Sequence, residues 1–420
     1  MGDNNILSGR LVSLDALRGF TIAAMIVVNS PGSWSYVYDP LLHADWHGMT
    51  FTDLVFPFFL FIVGVSITLA YSKRLSAGAP KGDIYKKIFS RSIKIYLLGI
   101  FLWLWPEFDF GNIRYVGVLQ RIAIVFLCCS LLFLHTNWKQ QIVILTSILV
   151  GYWLLLYAIP VPIDSVIQQA LQTGMIERAG GRMAELGEIS KVSSGFIAPN
   201  VEPGINLAAW VDRQLVPGYF YERAWDPEGF LSTLPAIGTC ILGIISGKLI
   251  LSDKDTYQKL TWIFFTGFAV FIAGIVWSWF FPLNKNLWSS SYVLASGGLA
   301  MMFLGAFLLI VDVLQYKKWT RPGIVFGANA ITSYVLSGVL LTVFYNDLMG
   351  IQPLNQVFLD AIIAIGLPAK LGSFLYALIY TSVIYIPAVF LYRKKIFIKT
   401  RLPKSDTNRK RTRRRSLSSA

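Results

Sequence analysis

About ten apolar runs, each long enough to cross a bilayer as a helix, are spread along this chain at approximately 16–35, 51–72, 87–105, 116–135, 139–160, 229–250, 260–281, 288–314, 322–347 and 370–392. Backbone placed in hydrocarbon must satisfy its own hydrogen bonds, which contiguous apolar runs of about 20 residues do as helices. The expected fold is an all-α polytopic membrane protein, a bundle of about ten transmembrane helices. Composition agrees, since 55% of the 420 residues are hydrophobic, only 14% are charged, and mean hydropathy is +0.57. That is too apolar for a soluble domain.

The net charge of +14 is uneven. Residues 393–415 hold twelve Lys or Arg against the single acid Asp406, so the tail carries +11 of the +14 and the body only +3. A basic run directly after a last span reads as a cytoplasmic anchor beside anionic lipid, not as a nucleic-acid site. Seven Lys or Arg against Asp83 in 73–94, together with Lys317, Lys318 and Arg321, fall on the same side in this span count. An excess of positive charge marks the cytoplasmic face, so both termini are expected there. The opposite face then receives 161–228, with nine acids and five bases, as an extracytoplasmic cap inserted between the fifth and sixth spans. Within it 164–190 has room for a short helix, but Gly174, Gly180, Gly181 and Gly187 argue against one long rod. The resulting division is a membrane domain over 1–392, carrying the cap at 161–228, and a basic tail without fixed structure over 393–420. Cys128, Cys129 and Cys240 all lie inside spans, which leaves no disulfide framework and no metal spacing. The polar stretch from Met1 to Arg10 and the lack of a small-residue cleavage pattern predict no removed signal peptide.

Titratable groups cluster where the first loop meets the second span, in the run from His43 to Pro57. The chain has three histidines and two of them, His43 and His47, lie here, just ahead of Asp53. A neutral imidazole at His43 can take a proton from an amine or hydroxyl near neutral pH, although a loop histidine that only hydrogen-bonds a carbonyl is the plainer use. His47 competes for the same role. The His-x-x-x-His spacing lacks a convincing third metal ligand, so no metal is expected. Asp53 opens the apolar run Leu54–Val65 and needs a partner at that depth, either backbone donors at the helix start or a cation such as Arg121 in the fourth span. Asp15 and Arg18, three apart, share a helix face. Asn29, at the outer end of the first span, is placed either to donate to a developing oxyanion or to make a polar contact within the bundle.

Taken together, Leu14-Asp15-Ala16-Leu17-Arg18-Gly19, Asn29, His43-Ala44-Asp45-Trp46-His47-Gly48-Met49-Thr50 and Asp53-Leu54-Val55-Phe56-Pro57-Phe58-Phe59 form a pattern that continues at Gly117–Arg121, Asp226-Pro227-Glu228-Gly229 and Asn284-Lys285-Asn286-Leu287-Trp288-Ser289. The pattern resembles the heparan-alpha-glucosaminide N-acetyltransferase family and its bacterial relatives, in the same order, from about residue 11 to the last span. The cap and the basic tail resemble nothing further. The resemblance implies an enzyme that takes acetyl-CoA from the cytosol and passes its acetyl group to an amino sugar across the membrane. The family's active-site histidine falls on His43 and its neighbouring asparagine on Asn29; His47 stands where the family often has asparagine. This chain carries no lysosomal N-terminal extension ahead of that pattern, which suggests a bacterial inner-membrane version acting on some other amino-sugar or glycan acceptor.

On that reading His43 is the general base or the acetyl acceptor, with Asn29 and Asp53 beside it, and sequence leaves direct transfer and an acetyl-histidine route equally open. Arg18, Arg91, Lys94, Lys248 and Arg321, near cytoplasmic ends, are candidates for the CoA phosphates. Trp46, His47 and Arg121 are candidates for the acceptor pocket, and Trp34, Trp210 or Trp225 for stacking on a sugar. Two rival readings remain: a proton-coupled transporter or flippase of a sugar or lipid-linked glycan, and an O-acetyltransferase acting on a polysaccharide. Homo-oligomer formation is left open.

Overall fold

The computed structural model describes residues 11–187, 192–193, 195–346 and 352–396. The first ten residues and the tail beyond residue 396, and with them the signal-peptide and tail expectations, lie outside the described residues. Helices α1 (Val12–Asn29), α2 (Phe51–Ser76), α3 (Lys81–Leu104), α4 (Val118–His135) and α5 (Trp138–Ala158) come first. They are followed by α8 (Thr233–Ile250), α9 (Thr256–Trp277), α10 (Ser290–Phe307, continued as a π-helix over Leu308–Val313), α11 (Arg321–Ala328), α12 (Ala330–Tyr345), α13 (Leu354–Ala364) and α14 (Ala369–Arg393). The chain is all-α apart from a few strands of two or three residues. Among the described residues eight helices are long and apolar enough to cross a membrane, or nine if α11 and α12 count as one span.

The expected ten differ from these for two physical reasons. Residues 87–105 do form a helix, α3, but Lys87, Arg91 and Lys94 leave it too charged to pass as an apolar span. Its exposed face nevertheless presents Phe89, Ile93 and Leu97 one turn apart, while Ile84, Ile88 and Ile95 are buried against the bundle. Residues 322–347 break at Asn329, where α11 and α12 meet at 75°. The first span also stops at Asn29, six residues short of the expected end, because Ser30 precedes Pro31 and cannot easily remain helical.

The long helices pack through close backbone contacts. A Cβ placed on Gly64 of α2 would stand 2.0 Å from the carbonyl oxygen of Cys240 on α8, and one on Gly243 would meet the carbonyl of Phe61 at the same distance. Gly19 in α1 meets Gly323 and Gly327 of α11 in the same way. In lipid no hydrophobic force separates helix from tail, so this intimacy of small residues supplies the packing.

The cap follows α5: β1 (Val161–Pro162), α6 (Ser165–Thr173), β2 (Met175–Glu177), β3 (Met183–Glu185), β4 (Val192–Ser193), β5 (Phe196–Ile197) and α7 (Leu207–Leu215). Helix α6 ends at Gly174 in the left-handed region (φ +69°), so the expected short helix forms and no long rod does. Its apolar core includes Ile167, Ile176, Ile197, Leu207 and Trp225, and it is continuous with Tyr152 and Leu156 of α5 and with Phe281 and Leu287. The cap therefore grows out of one end of the bundle rather than standing alone. Replacing Gly64 with Val should push α2 from α8 and lower stability by about 1–3 kcal/mol. Thermal unfolding in detergent, followed by labelling of the buried thiols of Cys129 and Cys240, checks this; an unchanged midpoint would contradict the packing argument.

Candidate active site beneath the cap

Asp53 sits in the first turn of α2 and is 1% exposed. Its Oδ2 accepts from the backbone N–H of Ala44 (3.1 Å) and of Thr50 (3.0 Å), and its Oδ1 lies 2.6 Å from Nδ1 of His43. Its own carbonyl accepts the hydroxyl of Tyr292, 2.5 Å away, from the first turn of α10. The Thr50 hydroxyl donates to the Leu42 carbonyl (2.6 Å), closing the loop on itself. Helix-start amides and a partly positive helix terminus are what a buried carboxylate needs. Both readings of Asp53, cap and charged partner, thus hold at once, but the partner is His43. Among the described residues no contact joins Asp53 to Arg121, contrary to the expected buried pair. The carboxylate is already fully engaged. Arg121 turns instead to the Gly229 carbonyl (3.0 Å), to Ser232 and to the face of Trp288, 5.0 Å from the ring centre.

With Nδ1 facing Asp53, the Nδ1–H tautomer leaves Nε2 of His43 as the open lone pair. The side chain is 45% exposed, whereas its aspartate is covered. Lys285 approaches that nitrogen, its Nζ 3.4 Å from Nε2. A tight turn fixes the lysine: Asn284 Oδ1 accepts from the Leu287 N–H (2.8 Å), and the Ser289 N–H donates to the Asn284 carbonyl (3.0 Å). The Gly48 N–H donates to the Leu283 carbonyl (2.8 Å), which ties the histidine loop to the lysine turn. His47, on the histidine loop, meets the same turn, with Nδ1 3.3 Å from the amide nitrogen of Asn284.

Beneath these lies a charged cluster. Arg114 donates through Nε and Nη2 to both oxygens of Asp226 (2.7 and 2.6 Å) and through Nη2 to Glu228 (2.8 Å). Burial pushes the Glu228 carboxyl up, but Lys285, Arg114 and Arg121 outweigh it and hold it below the usual carboxylate range. Arg114 is held protonated by Asp226 and Glu228 against the cost of its own burial. For His43, shielding from water and the charge of Lys285 lower proton affinity, and together they outweigh the opposing pull of Asp53. His47 is lowered too, chiefly by shielding from water.

The remaining expected residues divide by location. Asn29 is exposed at the C-terminal end of α1, the end from which the histidine loop departs, and among the described residues no hydrogen bond joins it to His43. Trp46 packs edge-to-face on Trp225 (5.5 Å) and donates to the Val201 carbonyl (2.8 Å), pinning the histidine loop to the cap. Trp225 is buried, so it offers no face to a sugar; Trp34 is exposed. Arg18, Arg91 and Lys248 stand toward the other end of the bundle. Arg18 pairs with Asp15 (2.6 Å) and donates to the Gly327 carbonyl (2.9 Å). Arg91 lies over Phe126 (4.7 Å) within electrostatic reach of Tyr71, Arg18 and Arg74; Lys248 lies over Phe133 (5.5 Å), itself beside Tyr71. Lys94 faces an outer groove with Tyr85 and Phe89, and Arg321 is exposed, so neither joins that group. Among the described residues no three His, Cys, Asp or Glu side chains converge as a metal centre requires.

Sequence reasoning passed over Lys285, Glu228, Arg114 and Tyr292. Two of them stood in the quoted motifs Asn284–Ser289 and Asp226–Gly229, where a charged residue in a loop opening an apolar span was the available signal.

The His43 imidazole should titrate lower than a free imidazole, and Asp53→Asn should lower it further by removing the group that favours the protonated ring. Nitrogen NMR of labelled histidine checks both, since only three resonance sets arise. The same substitution should cost about 1–3 kcal/mol, because the new amide turns a donor toward N–H groups that need acceptors.

A family model described as heparan-alpha-glucosaminide N-acetyltransferase, catalytic, matches residues 10–171. The heparan-alpha-glucosaminide N-acetyltransferase of Homo sapiens is 31% identical over 379 residues, covering 78% of this chain and 53% of that protein. The Mus musculus protein of the same name is 29% identical over 385 residues, covering 80% of this chain and 54% of its own. The chain spans about half the length of these curated relatives. On its motifs, on the matched model and on identity running through most of its length, this chain is a relative of the heparan-alpha-glucosaminide N-acetyltransferases.

Proposed function

We propose that this protein is a transmembrane N-acetyltransferase: it takes acetyl-CoA at the basic end of the bundle and delivers the acetyl group, beside His43, to the amine of a glucosamine-type sugar under the cap. The observation that carries the reading is the His43–Asp53 pair, with Nε2 turned away from the carboxylate toward Lys285 at the mouth of the cap. An imidazole whose tautomer is fixed by a buried carboxylate, and whose proton affinity is kept low, is a base or nucleophile ready at neutral pH. The names of the relatives supply the reaction class.

Phosphates and adenine cannot cross lipid, so they lodge at one end while a flexible thioester arm reaches the other. Arg18, Arg74, Arg91 and Lys248, interleaved with Tyr71, Phe126 and Phe133, offer cations and aromatic faces for such a head group. Arg18 and Asn29 are eleven residues apart on α1, about 16 Å at the helical rise. That interval suits an arm, not a free diffusing intermediate. The acetyl-histidine route and direct transfer both use the same Nε2.

The basic residues of 73–94 and 317–321 lie at the phosphate end, so the positive-inside tendency favours a cytosolic CoA site and an extracytoplasmic acceptor. On that account the basic end of this multi-pass membrane protein faces the cytosol.

The test is acetyl transfer from labelled acetyl-CoA to glucosamine in detergent, without any ion gradient. His43→Ala should lower turnover by about 10²–10⁴-fold while CoA binding persists. Full activity in that variant overturns the assignment. A dependence on a proton gradient with no CoA consumed would favour transport, and an ester in place of an amide product would move the acceptor to a hydroxyl.

A further inference from the structure

The acyl transfer proposed above develops negative charge on the acetyl carbonyl oxygen, and among the described residues no hydrogen bond joins Asn29 to the His43 loop. Another group is already in place. We propose that Lys285 is a catalytic residue that receives this oxygen as it becomes an alkoxide, while Nε2 of His43 manages the proton; the inference rests on the acyl-transfer reading.

Three observations carry it. First, Nζ of Lys285 stands 3.4 Å from Nε2, the one ring nitrogen that Asp53 leaves open. A carbonyl being attacked beside Nε2, or bonded to it, has its oxygen within reach of that ammonium. Second, the lysine is held on a turn closed by its own hydrogen bonds and tethered to the histidine loop through Gly48 and Leu283. A donor fixed before the charge appears needs no reorganisation when it does. Third, Arg114 binds Asp226 and Glu228 through three charged hydrogen bonds, and the buried Arg121 adds a second positive charge near them. Arg114 thus satisfies those carboxylates by hydrogen bond, and Lys285, whose charge also acts on Glu228, keeps its Nζ beside Nε2.

In the direct route the step balances as follows. The acceptor nitrogen forms a bond to the thioester carbon, and the carbonyl π pair moves onto oxygen beside Lys285. The proton released from nitrogen goes to Nε2. The C=O then re-forms, the C–S bond breaks, and the sulfur takes that proton from His43. One amine and one thioester give one amide and one thiol, and no oxidant or reductant is needed.

The experiment compares native protein with Lys285→Met and Lys285→Arg in the detergent assay with acetyl-CoA and glucosamine, alongside His43→Ala. For Lys285→Met we expect kcat to fall about 10²–10³-fold with KM for acetyl-CoA nearly unchanged, the pattern for an interaction made only in the transition state. Lys285→Arg should restore about tenfold or more of that loss, since it returns a positive donor. The methionine variant's pH profile carries a further signature. Lys285, Asp53 and Glu228 are the charges acting on His43, and removing the lysine raises the proton affinity of the imidazole, so the acid limb of activity moves to higher pH. That shift reports the charge of the lysine at Nε2, while the fall in kcat at unchanged KM is what separates a role in the transition state from a structural one.

A kcat for Lys285→Met within about threefold of native, or a loss confined to KM, would overturn the role of Lys285 while leaving the His43 assignment intact. Should the methionine variant fail to fold, Lys285→Gln and Lys285→Arg decide the matter, because the proposal requires glutamine to lose most activity and arginine to keep much of it. If native protein transfers no acetyl group, or His43→Ala stays fully active, it is the acyl-transfer reading itself that falls.

Discussion

Burying one carboxylate at the mouth of an apolar helix is the constraint around which this structure is arranged. Asp53 lies where charge is costly, and its environment meets that cost with two backbone amides, the positive end of α2 and an imidazole. Each partner comes from a different part of the loop, so satisfying the carboxylate also folds residues 43–50 over the start of α2. The Tyr292 hydroxyl on the Asp53 carbonyl adds α10 to the same knot. The position of His43 is thus a by-product of stability: the group that makes Asp53 tolerable is the group whose other nitrogen faces Lys285.

The rest of the bundle keeps that knot at a fixed distance from the opposite charge. Helix α2 carries Asp53 in its first turn and Arg74 near its last, twenty-one residues on, about 30 Å by helical rise. Backbone-to-backbone contact at Gly64 and Gly243 locks α2 to α8, and Gly19 locks α1 to α11. Such seams do not slide in small steps, because the side chains that would cushion movement are absent. Arg18 and Arg91 stand less deep than Arg74. They lie eleven residues from the end of α1 and thirteen from the end of α3, about 16 and 20 Å. A ligand with an anionic head and a long neutral arm matches that geometry better than a compact one does.

What the sequence disclosed and what it hid follow from the range of the interactions involved. Hydropathy is local, so nearly every long helix was legible from its own residues, with errors where one property overrode another: the charge on α3, the break at Asn329, the Ser30–Pro31 stop. The cap on α2 was legible for the same reason, since Thr50 and Asp53 are neighbours in sequence. The pairing of Asp53 with His43 spans ten residues and was within view only as a need for some partner. Lys285, 242 positions from His43, was visible as part of a motif but not as a neighbour of the imidazole. The expected Asp53–Arg121 pair erred because matching depth says nothing about which way two helices turn, and Arg121 faces Trp288 and the loop before α8 instead. Trp46 and Trp225 pack on each other in the cap, an arrangement that a hydropathy reading cannot assemble.

In the proposed transfer, the charges around His43 would also set what kind of base it is. Lys285 beside Nε2 opposes protonation, so His43 is a weaker base than a free imidazole. A weak base cannot strip a proton from an alkylammonium ion in water, and the same lysine repels such a cation as it approaches. An acceptor amine must therefore arrive uncharged. Once its nitrogen bonds to the carbonyl carbon, that nitrogen becomes positive and its proton far more acidic, while the oxygen becomes negative. The arrangement that was hostile to the ground-state cation now suits both new charges: lysine for the oxygen, imidazole backed by Asp53 for the proton. Selectivity for the transition state over the bound cation follows from where one ammonium group stands, without any movement of the protein.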